Sequence, residues 1–583
     1  MLQSSTSDTH VSLMFLEGCL TVIGIAVAFC WPRLASPWFS RIENTFARLA
    51  RRQGLVVAVV GVAGLLLRLA LLPMIPIPLP FVTDDFSFLL AADTFLHGRL
   101  TNPTPAMWIH FETVHVTMNP TYMSMYFPGQ AMVLAVGKLL FGHPWYGVLL
   151  SSALMCAVIC WMLQAWLPPT WALLGGCIAI LHLGLFSYWI NSYHSAGTIG
   201  AIGGALVLGA LPRLIKTARF RYFVLIAAGI AILVLSRPYE GMLMCLPVGA
   251  ALGHWILFGK NCPTTRVLIR YTAFPLALIL ATVAWLGFYD YRNFGKPTTL
   301  PYTVDRATYA MAPYFVWQSQ RPEPAYNHEE LRHFYYDAEM GFFEKIHSVS
   351  GFIPETLLKA MWTLLFFAGV ALLPPLIMLR RVFKDKRIRF LIVCVLVATA
   401  GLTIQIFIIP HYVAAFTAAF YAIGLQAMRH LRLWKPEGRT VGMTLVRLTM
   451  PILLVMVGLR AYAGPLHLEL REWPAGNWNF MWYGPDHFGQ DRAKIEASLE
   501  KLPGNQLVLV RYTSIHNPID EWVYNTADID GSKVIWAQDM DAGHNAELIQ
   551  HYKDRQVWLA QPDAFGAKLS PLTMPAQITS AAH

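Results

Sequence analysis

Long apolar stretches alternate with polar segments along this chain. A helix that crosses the hydrocarbon layer of a membrane needs about 20 mainly apolar residues. Twelve stretches reach or approach this length, at about 11–31, 55–75, 145–167, 170–190, 195–212, 221–236, 239–258, 270–289, 356–379, 388–409, 411–428 and 442–462. The pattern predicts a polytopic α-helical membrane protein with about twelve transmembrane helices.

Three long polar segments lie outside these stretches: a first outer loop (76–144), a second outer loop (290–355) and a C-terminal segment (464–583). In the C-terminal segment, strand-like runs alternate with helix-like ones, which is typical of a small α/β domain. The strand-like runs lie at 506–510, 533–536 and 556–559, and a helix is expected at 544–553. We therefore expect a transmembrane domain over 1–463 and a soluble α/β domain over 464–583.

Composition and charge restrict the class of protein further. The chain is 56% apolar and 13% charged, with a mean hydropathy of +0.46, which excludes a soluble multidomain protein and a disordered chain. Of the 44 Lys and Arg residues, 23 lie in five segments that a twelve-span arrangement places on one side. These segments are 33–52, 213–221, 260–270, 380–389 and 429–447.

Lys and Arg are retained on the cytoplasmic side of a membrane, so the two outer loops and the C-terminal segment are expected outside the cytoplasm. The net charge of +10 reflects this bias and does not predict binding of nucleic acid. The first apolar stretch has no Lys or Arg before it, which indicates a retained helix with an outer N-terminus rather than a signal peptide. Aromatic residues after the last span predict anchoring at the membrane surface. These residues are Trp473, Trp478, Trp482 and Tyr483.

Two adjacent carboxylates follow the second predicted span. Prolines end that span, and Asp84 and Asp85 then begin an amphipathic helix that stops at Gly98. One interpretation is that Asp84 is simply the N-cap of this helix. The alternative is functional, because paired acids beside aromatic residues at a membrane surface can direct one carboxylate into a cavity while the other holds the loop.

The rest of the first outer loop carries further candidate residues. Glu112 and His115 precede the motif Tyr126-Phe127-Pro128-Gly129-Gln130, from which we select Tyr126 and Gln130 as substrate-binding candidates. A second amphipathic stretch of about 14 residues then ends at Gly142, which is too short to cross a membrane and is typical of a helix in the interface.

This arrangement resembles a known family. An acidic pair just after a membrane helix, two interfacial helices, a proline motif before the second and a C-terminal outer domain are similar to the GT-C glycosyltransferases. The closest branch contains the protein O-mannosyltransferases and the lipid A aminoarabinose transferases. The resemblance is specific over 81–167. The aminoarabinose branch carries a Lys-Pro-Pro motif where this chain has Phe127-Pro128-Gly129, so the acceptor is left open.

The resemblance implies that Asp84 is the catalytic carboxylate, with Asp85 where many members have Glu. It also implies a sugar donor linked to polyprenyl phosphate and a place in a bacterial cytoplasmic membrane, with the active site on the outer side. Independently of the resemblance, an active site outside the cytoplasm has no supply of cytosolic nucleotide sugars, so its donor is expected to be linked to a lipid. Transfer from a lipid donor needs a carboxylate for the acceptor proton and donor groups for the departing phosphate.

Residues at the outer ends of the predicted spans are candidates for holding that phosphate. Arg237 lies between two spans with Glu240 as a nearby partner, and Arg can grip phosphate with two parallel hydrogen bonds. His194, and the pair His411 and Tyr412, lie at two other outer ends. These residues can also have roles other than phosphate binding. Arg237 can extend to the membrane interface to keep its charge in water, and the histidines can be structural.

The sequence thus predicts an inverting glycosyltransferase that moves a sugar from a polyprenyl-phosphate donor to a lipid, glycan or protein acceptor. A membrane transporter or lipid-binding protein without catalytic activity is the first alternative, and an inactive scaffold for the C-terminal domain is the second. No cofactor is required by the chemistry. A version with a divalent cation would draw on Asp84, Asp85, Glu112 and His115, which fall short of an octahedral set.

Overall fold

The computed structural model describes residues 12–468, 489–564 and 566–572. The predicted interfacial patch of aromatic residues lies outside the described residues. These residues are Trp473, Trp478, Trp482 and Tyr483.

The regular elements in the first half of the described chain are helices and one short antiparallel hairpin. Its helices are α1 (Leu13–Cys30), α2 (Ser36–Ala50), α3 (Gln53–Ala70), α4 (Thr83–Leu96), α5 (Pro128–Phe141), α6 (Trp145–Trp166), α7 (Pro169–Ala179), α8 (Gly197–Thr217), α9 (Phe220–Ser236), α10 (Pro238–Phe258) and α11 (Thr265–Phe294). The hairpin lies between α4 and α5 and consists of β1 (Val116–Thr117) and β2 (Met123–Ser124).

The second half adds further helices and one larger sheet. The helices are α12 (Pro301–Tyr309), α13 (Glu329–Arg332), α14 (Glu339–His347), α15 (Val349–Ala368), α16 (Leu379–Lys384), α17 (Arg389–Thr403), α18 (Thr417–Arg432), α19 (Val441–Ala461), α20 (Gln490–Glu500) and α21 (Ala542–His551). The strands are β3 (Asn505–Val510), β4 (Val534–Gln538), β5 (Arg555–Gln561) and β6 (Lys568–Pro571).

Eight of the described helices are long and apolar enough to cross a membrane, and each overlaps a predicted span. They make the chain a multi-pass membrane protein. They are α1, α3, α6, α8, α10, α11, α15 and α19. Four further predicted spans overlap helices of 11 to 17 residues, namely α7, α9, α17 and α18. Twelve crossings therefore stay a prediction.

The predicted span 170–190 is wrong in its second half. Helix α7 continues only as a π-helical turn over Ile180–Gly184, and residues 185–196 are non-helical although they are buried. Non-helical backbone at such a depth persists where side chains satisfy its polar groups. Asn191 and Gln130 do so here. The Asn191 amide donates to the Leu185 and Ser187 carbonyls at 3.3 and 3.2 Å, and Gln130 donates to the Tyr193 carbonyl at 2.9 Å.

Two other predicted spans also differ at their ends. Predicted span 356–379 corresponds to α15, which ends much earlier because Gly369 adopts a positive φ of 55° and the next turn donates its backbone N–H groups to Glu17. Predicted span 411–428 corresponds to α18, which begins only at Thr417 because residues 410–416 form a 3-10 helix. Both breaks place backbone that is not α-helical beside the large apolar core of the bundle.

The four longer strands form one sheet in the order β4-β3-β5-β6. Strand β3 runs parallel to β4 and β5, and β6 is antiparallel to β5. Strands β3, β4 and β5 and helix α21 lie where the sequence predicts them. One face of this sheet shares an apolar core with the first outer loop, since Leu507 and Ile535 cluster with Leu90, Phe111 and Tyr122.

Candidate active site

The pair Asp84 and Asp85 lies in the first turn of α4. The helix begins at Thr83, and Val82 precedes it in an extended conformation with no side-chain cap, so the N-cap interpretation of Asp84 is wrong. The two carboxylates differ in exposure, because the side chain of Asp85 is 1% exposed and that of Asp84 is 32% exposed. Of the two acids, Asp84 is therefore the one that a substrate can reach.

Asp85 connects α4 to the non-helical segment 185–196. Its Oδ1 accepts hydrogen bonds from the backbone N–H of Tyr193 and from Nδ1 of His194, both at 2.8 Å. Burial lowers the pKa of His194, but the adjacent carboxylate outweighs burial and the pKa lies above its ordinary value of 6.5. The raised pKa thus favours the protonated form of His194, which forms a buried ion pair with Asp85. This geometry favours a structural role for Asp85 within the predicted catalytic pair.

Asp84 is held by two side chains of the first outer loop. The Tyr126 hydroxyl donates a short hydrogen bond to its Oδ1, and Nδ1 of His115 lies 3.7 Å from its Oδ2. Burial raises the pKa of Asp84, but the nearby His115 and His194 and the hydrogen bond from Tyr126 outweigh burial. The pKa of Asp84 lies below its ordinary value of 3.8. Asp84 is therefore ionised at neutral pH.

His115 reaches Asp84 from a strained backbone conformation. Its φ is +66°, in the left-handed region that side chains other than glycine seldom adopt. Its carbonyl accepts hydrogen bonds from the Ser87 hydroxyl at 2.7 Å and from the Met125 N–H at 3.2 Å, and its N–H donates to the Tyr335 hydroxyl at 3.2 Å. Three parts of the chain thus hold this conformation and direct the imidazole to Asp84.

Arg237 lies at the junction of α9 and α10. It donates to the Ser195 carbonyl at 3.3 Å, lies 3.6 Å from Glu240, and its guanidinium covers the Tyr412 ring at 4.7 Å. Its Nε is buried and has no hydrogen-bond partner in the described part of the chain. The guanidinium is thus fixed in place, and its positive charge is suited to binding an anion.

The Phe127-Pro128-Gly129 motif brings α5 close to this arginine. Pro128 is the first residue of α5, where its lack of an N–H costs no helical hydrogen bond. A Cβ on Gly129 would lie 2.8 Å from the carbonyl oxygen of Leu235, next to the end of α9. The glycine therefore permits a close approach between the first outer loop and the backbone beside Arg237.

His411 and Tyr412 also lie at the site, but they are not equivalent. The Tyr188 hydroxyl bonds to Nδ1 of His411 at 2.8 Å and accepts from its backbone N–H at 3.0 Å. Burial and the charges of Arg237 and His194 hold the pKa of His411 well below its ordinary value. His411 is therefore neutral and adds no positive charge to the site.

The second outer loop contributes residues that the sequence analysis missed. The Tyr302 ring contacts the rings of Tyr126 at 5.5 Å and Tyr314 at 6.0 Å, and the Arg306 guanidinium covers Tyr314 at 4.9 Å. Arg306 is itself paired with both carboxylate oxygens of Glu339 at 2.7 Å. The only signal in the sequence was a cluster of tyrosines after α11, which has no helical or strand period.

Electrostatic interactions join these residues into one site. The phenols of Tyr302 and Tyr412 each interact with the charges of both Asp84 and Arg237. Both tyrosines are half-buried, as are Asp84 and Arg237. The structure thus brings a reachable carboxylate, a guanidinium and two phenols together from four separate parts of the chain.

Two other predicted residues lie around this site rather than in it. Gln130 donates to the Tyr193 carbonyl and supports the segment that Asp85 also holds. Glu112 accepts from the Tyr309 hydroxyl at 2.8 Å and from Nδ2 of Asn327 at 2.6 Å, and burial raises its pKa. Glu112 thus connects the two outer loops, and its role in binding a substrate stays a prediction.

An apolar groove of about 400 Å³ runs between α15, α17 and α18. Its wall includes Ile408 and Val413, which flank the segment that carries His411 and Tyr412. It also includes Lys359, whose Nζ donates to the Gln405 carbonyl at 3.1 Å. The groove therefore extends along the helices and ends next to residues of the site.

Within the described ranges, no group of three or more His, Cys, Asp or Glu side chains is arranged to hold a metal ion. Around Asp84, the reason is visible in the contacts. Oδ1 of Asp85 is occupied by Tyr193 and His194, and Glu112 lies in a separate hydrogen-bond network. The candidate ligand set that the sequence suggested is therefore not assembled in this conformation.

No family model and no curated protein match the chain. Among solved structures, it is similar to ArnT from Cupriavidus metallidurans in the apo state, with 12% identity over 86% of this chain and 92% of that chain and a TM-score of 0.48. The same protein bound to undecaprenyl phosphate matches with 13% identity over the same shares and a TM-score of 0.45. The Archaeoglobus fulgidus oligosaccharyltransferase in the apo form matches with 11% identity over 87% of this chain and 69% of that chain and a TM-score of 0.46.

At these identities and TM-scores, function has to be argued from the residues of this chain alone. Both matched proteins are GT-C glycosyltransferases. The sequence led us to expect a resemblance to that superfamily, and the matches agree with it, but at TM-scores below 0.5 they carry no argument about this chain.

Proposed function

We propose that the chain is an inverting glycosyltransferase that moves a sugar from a polyprenyl-phosphate donor to an acceptor hydroxyl or amine on a lipid, glycan or protein. One observation carries the proposal. A reachable, ionised carboxylate, Asp84, shares a site with an anchored guanidinium, Arg237. Proton acceptance and phosphate binding are the two tasks that this transfer requires.

In the proposed reaction, Asp84 accepts the proton of the acceptor group while the acceptor atom attacks the anomeric carbon. The bond between the anomeric carbon and the phosphate oxygen breaks, and its electron pair leaves with polyprenyl phosphate. Attack opposite the leaving group inverts the configuration of that carbon. Because Tyr126 fixes one oxygen of Asp84, the other oxygen, Oδ2, is the proton acceptor.

Arg237 stabilises the negative charge that develops on the departing phosphate. Its contacts with Ser195 and Tyr412 restrain the guanidinium before the donor binds, so little reorganisation is needed during the reaction. The hydroxyls of Tyr302 and Tyr412 supply further hydrogen bonds to the phosphate or the sugar. His411, being neutral, contributes a hydrogen bond at most.

The groove between α15, α17 and α18 accommodates the prenyl tail of the donor. Its lining is almost entirely apolar, and one end adjoins the segment that carries Tyr412. The proposal includes twelve crossings, with the site and the C-terminal sheet on the outer side of a bacterial cytoplasmic membrane, as the distribution of basic residues predicts. It requires no cofactor beyond the side chains of the site.

The test is Asp84→Asn, which preserves the shape of the side chain and removes its basicity. Glu344→Gln is the matched control, because Glu344 is an exposed acid on α14 in the second outer loop. Mass spectrometry of envelope lipids and glycans compares cells that carry the wild type, the variant or the control. We expect a product one sugar heavier in the wild type and the control, and a loss of about 100-fold or more in Asp84→Asn. Normal product formation by Asp84→Asn at normal protein levels contradicts the proposal.

A further inference from the structure

The described part of the C-terminal segment, residues 489–564 and 566–572, is called the C-terminal unit below. It contacts the helix that carries Asp84 at both ends. At the start of α4, the Glu521 N–H donates to the Phe81 carbonyl at 3.0 Å, and Val82 pairs with Asp520 in an antiparallel bridge. At the other end, the Ala527 N–H donates to Oδ2 of Asp93 at 3.0 Å. The hydrogen bonds therefore span the whole length of α4.

Between these ends, an aromatic contact joins the C-terminal unit to α4. Phe86 is 1% exposed, and its ring lies against the Tyr524 ring with centroids 4.6 Å apart. The Arg492 guanidinium covers Phe86 at 5.0 Å. A cation over an aromatic face and a pair of packed rings each stabilise such a contact.

Arg492 also fixes the segment that makes these contacts. Its Nε donates to the Trp522 carbonyl at 3.0 Å, and its Nη2 donates to the Tyr524 carbonyl at 3.2 Å. The same guanidinium covers the Trp536 ring of β4 at 4.6 Å. Arg492 is thus the link between the sheet, the segment that contacts α4, and Phe86.

One face of the sheet packs against α4 and the first outer loop. Leu507, Leu509 and Ile535 share a core with Leu90 of α4 and Phe111 of the first outer loop. An independent domain that captures a partner keeps its apolar surface for that partner. Here that surface is buried against the element that carries the proposed base.

We propose that the C-terminal unit is a clamp for α4, in which Arg492 and Tyr524 are positioning residues that keep Asp84 against Tyr126 and His115. The effect on transfer rests on the proposed function, whereas the effect on the order of α4 does not. Val82 is bridged to the unit and lies two residues before Asp84, so movement at the bridge is passed to the carboxylate. A displacement of about 1 Å in a catalytic group can cost about 100-fold in rate.

The test compares hydrogen–deuterium exchange of residues 80–96 in the full-length protein. Tyr524→Ala removes the ring that contacts Phe86, and Tyr524→Phe is the matched control because it keeps the ring. Arg492→Ala and Arg492→Lys form a second pair, and Phe86→Leu disturbs the same contact from α4. We expect exchange over 80–96 to rise about tenfold or more in the two alanine variants and in Phe86→Leu, with Tyr524→Phe unchanged and Arg492→Lys in between.

Two functional measurements separate positioning from general damage to the protein. Binding of undecaprenyl phosphate, measured as thermal stabilisation in detergent, should stay within about twofold of wild type in Tyr524→Ala, because Arg237 and the groove are not touched. Product formation in membranes should fall about tenfold or more and should be restored in Tyr524→Phe. A lower rate with unchanged lipid binding would indicate loss of positioning, because unfolding would reduce both.

The outcomes for the clamp and for the proposed function are distinguishable. Unchanged exchange over 80–96 in both Tyr524→Ala and Phe86→Leu overturns the clamp, whatever Asp84→Asn does. If Asp84→Asn keeps full product formation while Tyr524→Ala still loosens α4, the clamp stands and the proposed function fails. Loss of lipid binding in Tyr524→Ala together with global exchange shows a folding role instead and overturns the positioning role.

Discussion

The Tyr126 hydroxyl lies between Asp84 and His115, donating a hydrogen bond to Oδ1 of Asp84 with its oxygen 3.2 Å from Nδ1 of His115. An ionised carboxylate can only accept hydrogen bonds, so the phenolic proton belongs to the bond with Asp84. Tyr126 therefore orients the carboxylate and stabilises its charged form at the same time.

Tyr126→Phe should weaken transfer and change its pH dependence. The hydrogen bond lowers the pKa of Asp84, so its loss raises that pKa and moves the acidic limb of the rate profile to higher pH. The rate at neutral pH should fall about tenfold through the loss of orientation. The rate of product formation between pH 3 and pH 8 is the measurement, and an acidic limb that stays in place contradicts this role of Tyr126.

Asp85→Asn should behave differently from Asp84→Asn. It removes the charge that pairs with His194 in a buried contact, and the loss of a charge-assisted hydrogen bond costs about 1.5–3 kcal/mol. We therefore expect a lower apparent unfolding temperature for Asp85→Asn and an unchanged one for Asp84→Asn, measured in the same detergent. Equal unfolding temperatures for the two variants would show that Asp85 is not structural.

The same ion pair predicts how stability depends on pH. The pKa of His194 is raised in the folded protein, so its contribution is fully present below the ordinary value of 6.5 and is lost as the pH rises through the raised pKa. His194→Gln keeps a hydrogen-bond donor but does not titrate. The difference in unfolding temperature between wild type and His194→Gln should therefore shrink with increasing pH above 6.5. A difference that grows with pH would reverse the assigned shift.

The site residues that the sequence predicted could be selected from their immediate neighbours in the chain, without knowledge of the tertiary structure. Asp84, His115 and Tyr126 belong to one loop. Arg237 is recognisable because it is a charged residue between two apolar stretches. Tyr302 reaches the site only through the tertiary path of the second outer loop, and no period in the sequence reports that path. The loss of helix over 185–190 was missed for a related reason, because these residues are mostly apolar and a buried non-helical segment of that kind differs from a helix only in how its backbone groups are satisfied.

Arg237→Lys should reduce donor binding although it keeps the charge. A lysine loses the planar stack on Tyr412 and the donor geometry that suits phosphate. The matched control is Arg213→Lys, which removes a similar stack of Arg213 on Trp161 at 4.2 Å, in the last turn of α8. We expect KM for the lipid donor to rise about tenfold in Arg237→Lys alone. Equal effects of the two substitutions would mean that Arg237 has only a packing role.

Substitution of a glycine in the lining tests whether the groove binds the prenyl tail of the donor. Gly424 lies in the lining, and a Cβ on it would meet no atom within 4 Å, so a larger side chain there fills the groove without disturbing α18. Gly249 in α10 is the matched control, because its Cβ would also meet nothing within 4 Å but it lies outside the groove. The two variants to compare are Gly424→Leu and Gly249→Leu.

If a prenyl tail occupies the groove, the effect of Gly424→Leu has to depend on the length of that tail. Each methylene that no longer contacts the groove weakens donor binding by up to about 0.8 kcal/mol. The loss is smaller than this because the displaced tail stays in the lipid bilayer. We expect KM for a long-chain donor to rise about fivefold to tenfold in Gly424→Leu, and KM for an analogue with two isoprene units to stay unchanged. Gly249→Leu should leave both values unchanged. An equal rise for both donors in Gly424→Leu would indicate distortion of the helix rather than competition for the groove, and the tail would then have to leave the site by another path.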